Sequence, residues 1–110
     1  MRDVAETLPS STALTSLTVD GGASANDLLC RMQADQLGVP VERPRFVETT
    51  AIGAAFLAGL GTRVWSSFDE LKATWQLDQR FEPSGSREDA DAAYARWREA
   101  VERSKGWAAL

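Results

Sequence analysis

The chain has 110 residues, 44% of them hydrophobic, with a formal net charge of −4. That is enough for one globular domain, and too acidic to grip nucleic acid or an anionic membrane through bulk charge. A single cysteine, Cys30, and the lack of histidine exclude a disulfide framework, thiol–histidine catalysis and the common zinc sites, and fit a reducing, cytoplasmic setting.

Residues 1–8, MRDVAETL, read as the end of a helix closed by the PSST cluster that Pro9 opens, and the first twenty residues, with Arg2, Asp3, Glu6 and Asp20, lack the uninterrupted apolar run of a signal peptide. LTSLTVD at 14–20, rich in Thr, Leu and Val and bounded by Gly21 and Gly22, reads as a strand. From Ser24 to Leu37 the period becomes helical: Ala25, Leu28, Leu29 and Met32 form one stripe, Asn26, Cys30 and Gln33 a neighbouring face, and Gly38 the C′ residue. In VPVERPRFVE, Pro40 and Pro44 limit any strand to a short one, expected at a sheet edge.

Thr49 and Thr50 stand as candidate N-caps of a helix over 51–60. Ile52, Ala55, Phe56, Gly59 and Leu60 occupy one side of it, Gly53 and Leu57 the other. Apolar all round and too short to cross a bilayer, it is expected to be covered on several faces, with a neighbour filling the space left by Ala55 and Gly59. Ser67 and Glu70 have capping-box spacing ahead of Phe68, Leu71 and Trp75. After a PSGS turn at 83–86, Ser86 and Asp89 repeat that spacing, Glu88 and Asp91 lie at the positive end of the helix, Arg103 and Lys105 near the negative end, and Gly106 stops it. The stripe Ala90, Ala93, Tyr94, Trp97 and Val101 is its expected buried face.

Two readings of Gly21–Gly22 remain open on residue chemistry alone. The pair allows a tight turn. It also leaves bare backbone between a strand end and a helix N-terminus, where open α/β folds keep ligands and where a planar base can lie close, with Asn26 one turn later offering a donor and an acceptor. GxGxxG and the P-loop pattern are both unmet. Asp20 is a metal-ligand or base candidate whose commoner role is a solvated or capping group, and Glu48 reads first as a cap. Trp75 and Trp97 fall on helical stripes and read as core, Cys30 reads as a small buried side chain, and no positioned acid–base group stands out.

VDGGASANDLLCRMQADQLGVPVERP, ETTAIGAAFLAGLG, FDELKATW and RFEP together resemble the C-terminal region of the bacterial glycerol kinases, within the FGGY family of carbohydrate kinases. The resemblance runs from about Arg2 to Trp107, and Asp20, Gly21, Gly22, Ala23 and Asn26 follow the glycerol kinase form rather than the GGGA form of xylulokinases. It implies an α/β fold, the C-terminal part of an actin-like, ribonuclease H-like ATPase domain with extra C-terminal helices: an adenine-side core over 1–62 and a helical extension over 63–110. By the same resemblance Gly22 contacts the nucleotide, Asn26 hydrogen-bonds near the adenine and Gly21 shapes the turn. ATP is the implied cofactor and Mg²⁺ belongs to the complete kinase, whose metal ligands, phosphate loops, glycerol pocket and catalytic base match nothing in this segment; no catalytic or metal-binding residue is assigned. The expected partners are ATP or ADP, the preceding kinase portion or a second copy of the chain, with no glycerol-dependent turnover by the segment alone. The alternative is a non-catalytic nucleotide-binding or protein-interaction remnant of such a kinase. PSGSREDADA departs from the regulated pattern of that region, so no regulator is carried over.

Overall fold

Leu17–Thr18 (β1) and Val41–Pro44 (β2) lie side by side in parallel, and the helix Asp27–Leu37 (α2) connects them, so the first half of the chain is a β–α–β unit. The computed structural model describes residues 1–9 and 13–106; most of the turn expected at 9–12, and Trp107, lie outside them. The ladder runs from the Leu17 amide to the Pro40 carbonyl and from the Val19 amide to the Glu42 carbonyl. Only two residues of the strand expected over 14–20 pair in this way.

Leu77–Phe81 (β3) pairs antiparallel with the other side of β2, giving the order β1-β2-β3. The strand placed at an edge by its prolines is therefore central. Pro44 is tolerated because it ends the strand, where the register slips by one residue against β3. The segment from 63 onward is accordingly not helical alone: besides Phe68–Lys72 (α4) and Arg87–Ser104 (α5) it contributes a strand to the sheet.

The helix N-termini follow local chemistry. Ser86 accepts from the Asp89 amide at 3.0 Å and starts α5, as the spacing predicts. Ser67 accepts from the Glu70 amide at 3.3 Å, but the Glu70 carboxylate turns to the amide and hydroxyl of Ser66 rather than back to Ser67, and α4 lasts five residues. The helix Thr49–Gly61 (α3) begins with the two threonines already inside it and Glu48 at the N-cap without a side-chain cap bond. Gly38, left-handed at φ 71°, closes α2.

The core consists of Cys30, Ala34, Val41 and Phe81, with Leu17 and Val19 packed against it. Thus α2 buries its Cys30–Ala34 face, while Leu28 and Met32 of the expected stripe are exposed. Trp97 is likewise 50% exposed rather than buried. The reason lies in how α2 meets α5: Gln36 donates to the Ala90 carbonyl and Arg87 to the Gln36 carbonyl, tying the helices at the start of α5. Beyond that tie Leu29, Met32, Tyr94 and Trp97 line an open groove, and the indole stacks on Tyr94 at 5.7 Å between centroids. Arg2 of the first helix, Arg2–Glu6 (α1), lies over the opposite partner in that stack, 4.2 Å from the Tyr94 centroid, and bonds Asp91.

Cover for α3 is missing among the described residues. Only Gly59 is buried, and Leu57 is 65% exposed. The space over Gly59 is filled by the Trp65 ring, which meets Phe56 edge-on at 5.3 Å. The radius of gyration is 18.1 Å, against about 13 Å for a compact chain of this length, and the accessible surface is 8280 Å², against about 6,000 Å². The α2–sheet layer is closed and the α3–α4 side is open.

Candidate functional site

Between β1 and α2 the chain makes a 3₁₀ turn, Gly22–Ala25, whose last two residues the helical period assigns to α2. Gly21 enters it at φ 76°, ψ 167°, a conformation essentially confined to glycine. Its amide donates to the Val47 carbonyl at 2.7 Å, and its carbonyl accepts from the Ser24 amide at 3.0 Å and the Ser24 hydroxyl at 2.7 Å. The Ser24 carbonyl in turn accepts from Arg43 at 3.0 Å and from the Cys30 thiol at 3.3 Å. Ser24 is buried, so the inner side of the loop is satisfied by hydrogen bonds.

Gly22, Ala23 and Asn26 face outward and are exposed. Gly22 has no positive φ, and a Cβ added there would meet no described atom within 4 Å. Asn26 is the N-cap of α2: its Oδ1 accepts from the Leu29 amide at 3.2 Å. The acceptor half of the amide is thereby occupied, and the NH₂ half is the part with hydrogen-bonding capacity to spare. All three residues singled out in the sequence, Gly21, Gly22 and Asn26, therefore stand on one internally braced loop.

The neighbouring candidates resolve into structural parts. Asp20 accepts a hydrogen bond from the Thr49 hydroxyl and links the end of β1 to the start of α3. Cys30 is buried beneath the loop; desolvation foremost pushes its thiol pKa up, which disfavours a nucleophilic thiolate. Among the described residues no group of three or more histidine, cysteine, aspartate or glutamate side chains gathers to hold a metal ion.

Sequence reasoning missed Arg43. Its side chain is 11% exposed, and its guanidinium bonds Asp78 through Nε at 2.8 Å, Asp27 at 2.8 Å and Gln79 at 3.2 Å, in addition to Ser24. The available signal was a lone arginine in a four-residue strand, but its partners come from the helix start and from β3. A wide groove of about 720 Å³ lies elsewhere: Phe46, Ile52, Phe56, Leu57, Phe68 and Trp75 give it an apolar wall on the open α3–α4 side.

The family model for the C-terminal domain of the FGGY family of carbohydrate kinases matches residues 1–62, and this chain belongs to that family. Within it, the chain is 58% identical over 96 residues to a glycerol kinase of Aromatoleum aromaticum, covering 87% of this chain and 19% of that protein. It is 54% identical over 108 residues to the glycerol kinase of Pseudothermotoga lettingae, covering 96% and 22%. The chain spans about a fifth of the length of these relatives. Among solved structures, Plasmodium falciparum glycerol kinase with ADP superposes with a TM-score of 0.69 at 29% identity, over 90% of this chain and 19% of that one. Ligand-bound xylulose kinase from Lactobacillus acidophilus gives 0.73 at 21% identity, over 96% and 22%, a likeness of fold.

Proposed function

We propose that this chain supplies the adenine-facing wall of the ATP site of a cytoplasmic glycerol kinase, which transfers phosphate from ATP to glycerol to give ADP and glycerol 3-phosphate. One observation carries the reading. Gly22 is a glycine that the chain does not need for itself, since neither its backbone conformation nor its packing excludes a side chain. A bare backbone on an otherwise braced loop suits an external planar group that must lie against it. Support comes from the glycerol kinase relatives and from a solved relative that holds ADP.

In this reading Gly21 sets the turn, Gly22 offers a flat surface to the base, and the Asn26 NH₂ donates to a ring nitrogen while its oxygen keeps capping α2. Transfer itself depends on phosphate positioning and charge neutralisation, with Mg²⁺ among the means, and on a group that deprotonates the glycerol hydroxyl. We assign those parts to the preceding portion of the kinase, which also covers α3. The core over 1–62 then holds the nucleotide, and 63–110 braces it.

The test is nucleotide binding, measured by calorimetry, in the complete kinase carrying this segment. Gly22→Val is expected to weaken ATP through displacement of the base, by more than the about 1 to 3 kcal/mol of one lost buried hydrogen bond. Asn26→Asp, which retains a cap oxygen at a helix N-terminus but removes the NH₂ donor, is expected to weaken it to a lesser extent. Unchanged affinity in both variants sinks the assignment. The 110-residue chain alone is expected to release no ADP in a glycerol-dependent manner, and such turnover would overturn the division of labour.

A further inference from the structure

The loop that carries Gly22 and Asn26 is braced from outside as well as from within. Its carbonyl at Ser24 and the first residue of α2, Asp27, are both gripped by one guanidinium from β2, that of Arg43. The same guanidinium is anchored on its far side by β3, through Asp78 and Gln79. Regular antiparallel pairing would send Asp78 and Gln79 to opposite faces. Here the register slips: Arg43 pairs with Gln79 and Pro44 with Leu77, so Asp78 is an extra residue opposite one step of β2. Such a bulge re-aims side chains, and this one lets both Asp78 and Gln79 reach Arg43. The face of the guanidinium is backed by the Phe81 ring, 5.2 Å from its centroid.

We infer that Arg43 is a positioning residue for nucleotide binding: it clamps the inner side of the Gly21–Asn26 loop to the bulge in β3, so that the outward groups meet the base at a fixed height. The inference rests on the nucleotide reading given above. It assigns a function in the ATP site to β3, which lies beyond the residues matched by the family model. Arginine suits the task because a planar fork spans four acceptors at once, whereas a lysine ammonium is a point charge on a flexible stem that cannot hold all of them in one geometry.

The experiment is steady-state kinetics of the complete kinase carrying this segment, with KM for ATP and KM for glycerol measured separately for Arg43→Lys and Asp78→Asn and with Gly22→Val as reference. Arg43→Lys is expected to raise KM for ATP about tenfold, the size of one charge-assisted hydrogen bond lost from the brace, while KM for glycerol moves less than twofold. Asp78→Asn keeps the arginine and its apolar backing, and is expected to shift KM for ATP in the same direction by a smaller factor; it supplies the answer if Arg43→Lys fails to fold. A general structural role would move both KM values together or lower kcat alone, and either result overturns the inference. If Gly22→Val weakens ATP while the Arg43 and Asp78 variants leave KM for ATP unchanged, the clamp is overturned and the nucleotide reading stands. If Gly22→Val and Asn26→Asp both leave ATP unaffected, the nucleotide reading falls, and the clamp with it.

Discussion

The α2–sheet layer and the α3–α4 side are both apolar, yet only the first closes on itself. In the closed layer Cys30, Ala34, Val41 and Phe81 pack to 4% exposure or less, and the polar groups around them are paired through Arg43 and Ser24. On the open side α3 carries a more continuous apolar sequence, but Leu57, Phe46 and Phe68 are each more than half exposed. Hydrophobicity of a segment therefore states a demand for cover, and topology decides whether the same chain supplies it.

The largest expected effect separates the two sides by stability. Phe81→Ala is expected to cost about 3 to 5 kcal/mol, since the ring is enclosed and leaves a cavity beneath β2. Leu57→Ala is expected to change stability by no more than about 0.5 kcal/mol. Urea titration followed by circular dichroism measures both, and equal losses would break the contrast.

Next in size is association. Uncovered apolar surface drives contact between copies, so the 110-residue chain is expected to self-associate with rising concentration in sedimentation velocity. Leu57→Lys combined with Phe46→Ser is expected to shift the distribution toward monomer without loss of helix signal. A wild-type chain that stays monomeric at high concentration would show that the open side is tolerated by water.

The smallest expected effect sharpens the closed side. Asp35 accepts from the amides of Gly85 and Ser84 at 2.9 and 2.7 Å, and these bonds, Gly85 foremost, hold its carboxyl below the usual range. A depressed folded pKa means that the unfolded chain takes up the proton first. The contribution is therefore fully present above the unfolded value, near 3.8, and is lost as pH falls through the lower folded value. Asp35→Asn is expected to remove that part of the acid dependence, seen as a flatter fall in thermal midpoint below pH 4. An unaltered slope would show that the bond to the PSGS turn carries no linkage.

The elements that sequence reasoning located are those whose causes are local. Ser86 with Asp89, Gly38 after Leu37 and the switch from β1 to helix each depend on neighbours within four residues. The failures depend on distant partners. Leu28 and Met32 look like a core stripe, but Cys30 and Ala34 are the residues that β2 and β3 cover. LDQRF escaped notice as a strand because its charges mask the alternation and its pairing is offset at Asp78. The same holds at the candidate site: Gly21, Gly22 and Asn26 fall within six residues and can be proposed from local pattern, whereas Arg43 gains its place from residues 16 to 36 positions away.

Gly59 shows what such dependence means for protein engineering. By propensity alone, glycine in the last turn of α3 invites replacement with alanine for a gain of up to about 1 kcal/mol. A Cβ at that position would stand 2.1 Å from the Trp65 ring, evicting the indole that folds the chain back after α3. A residue that weakens the helix as a helix is thus the socket into which the following turn plugs, and substitution there for helix propensity would undo the joint between α3 and Trp65.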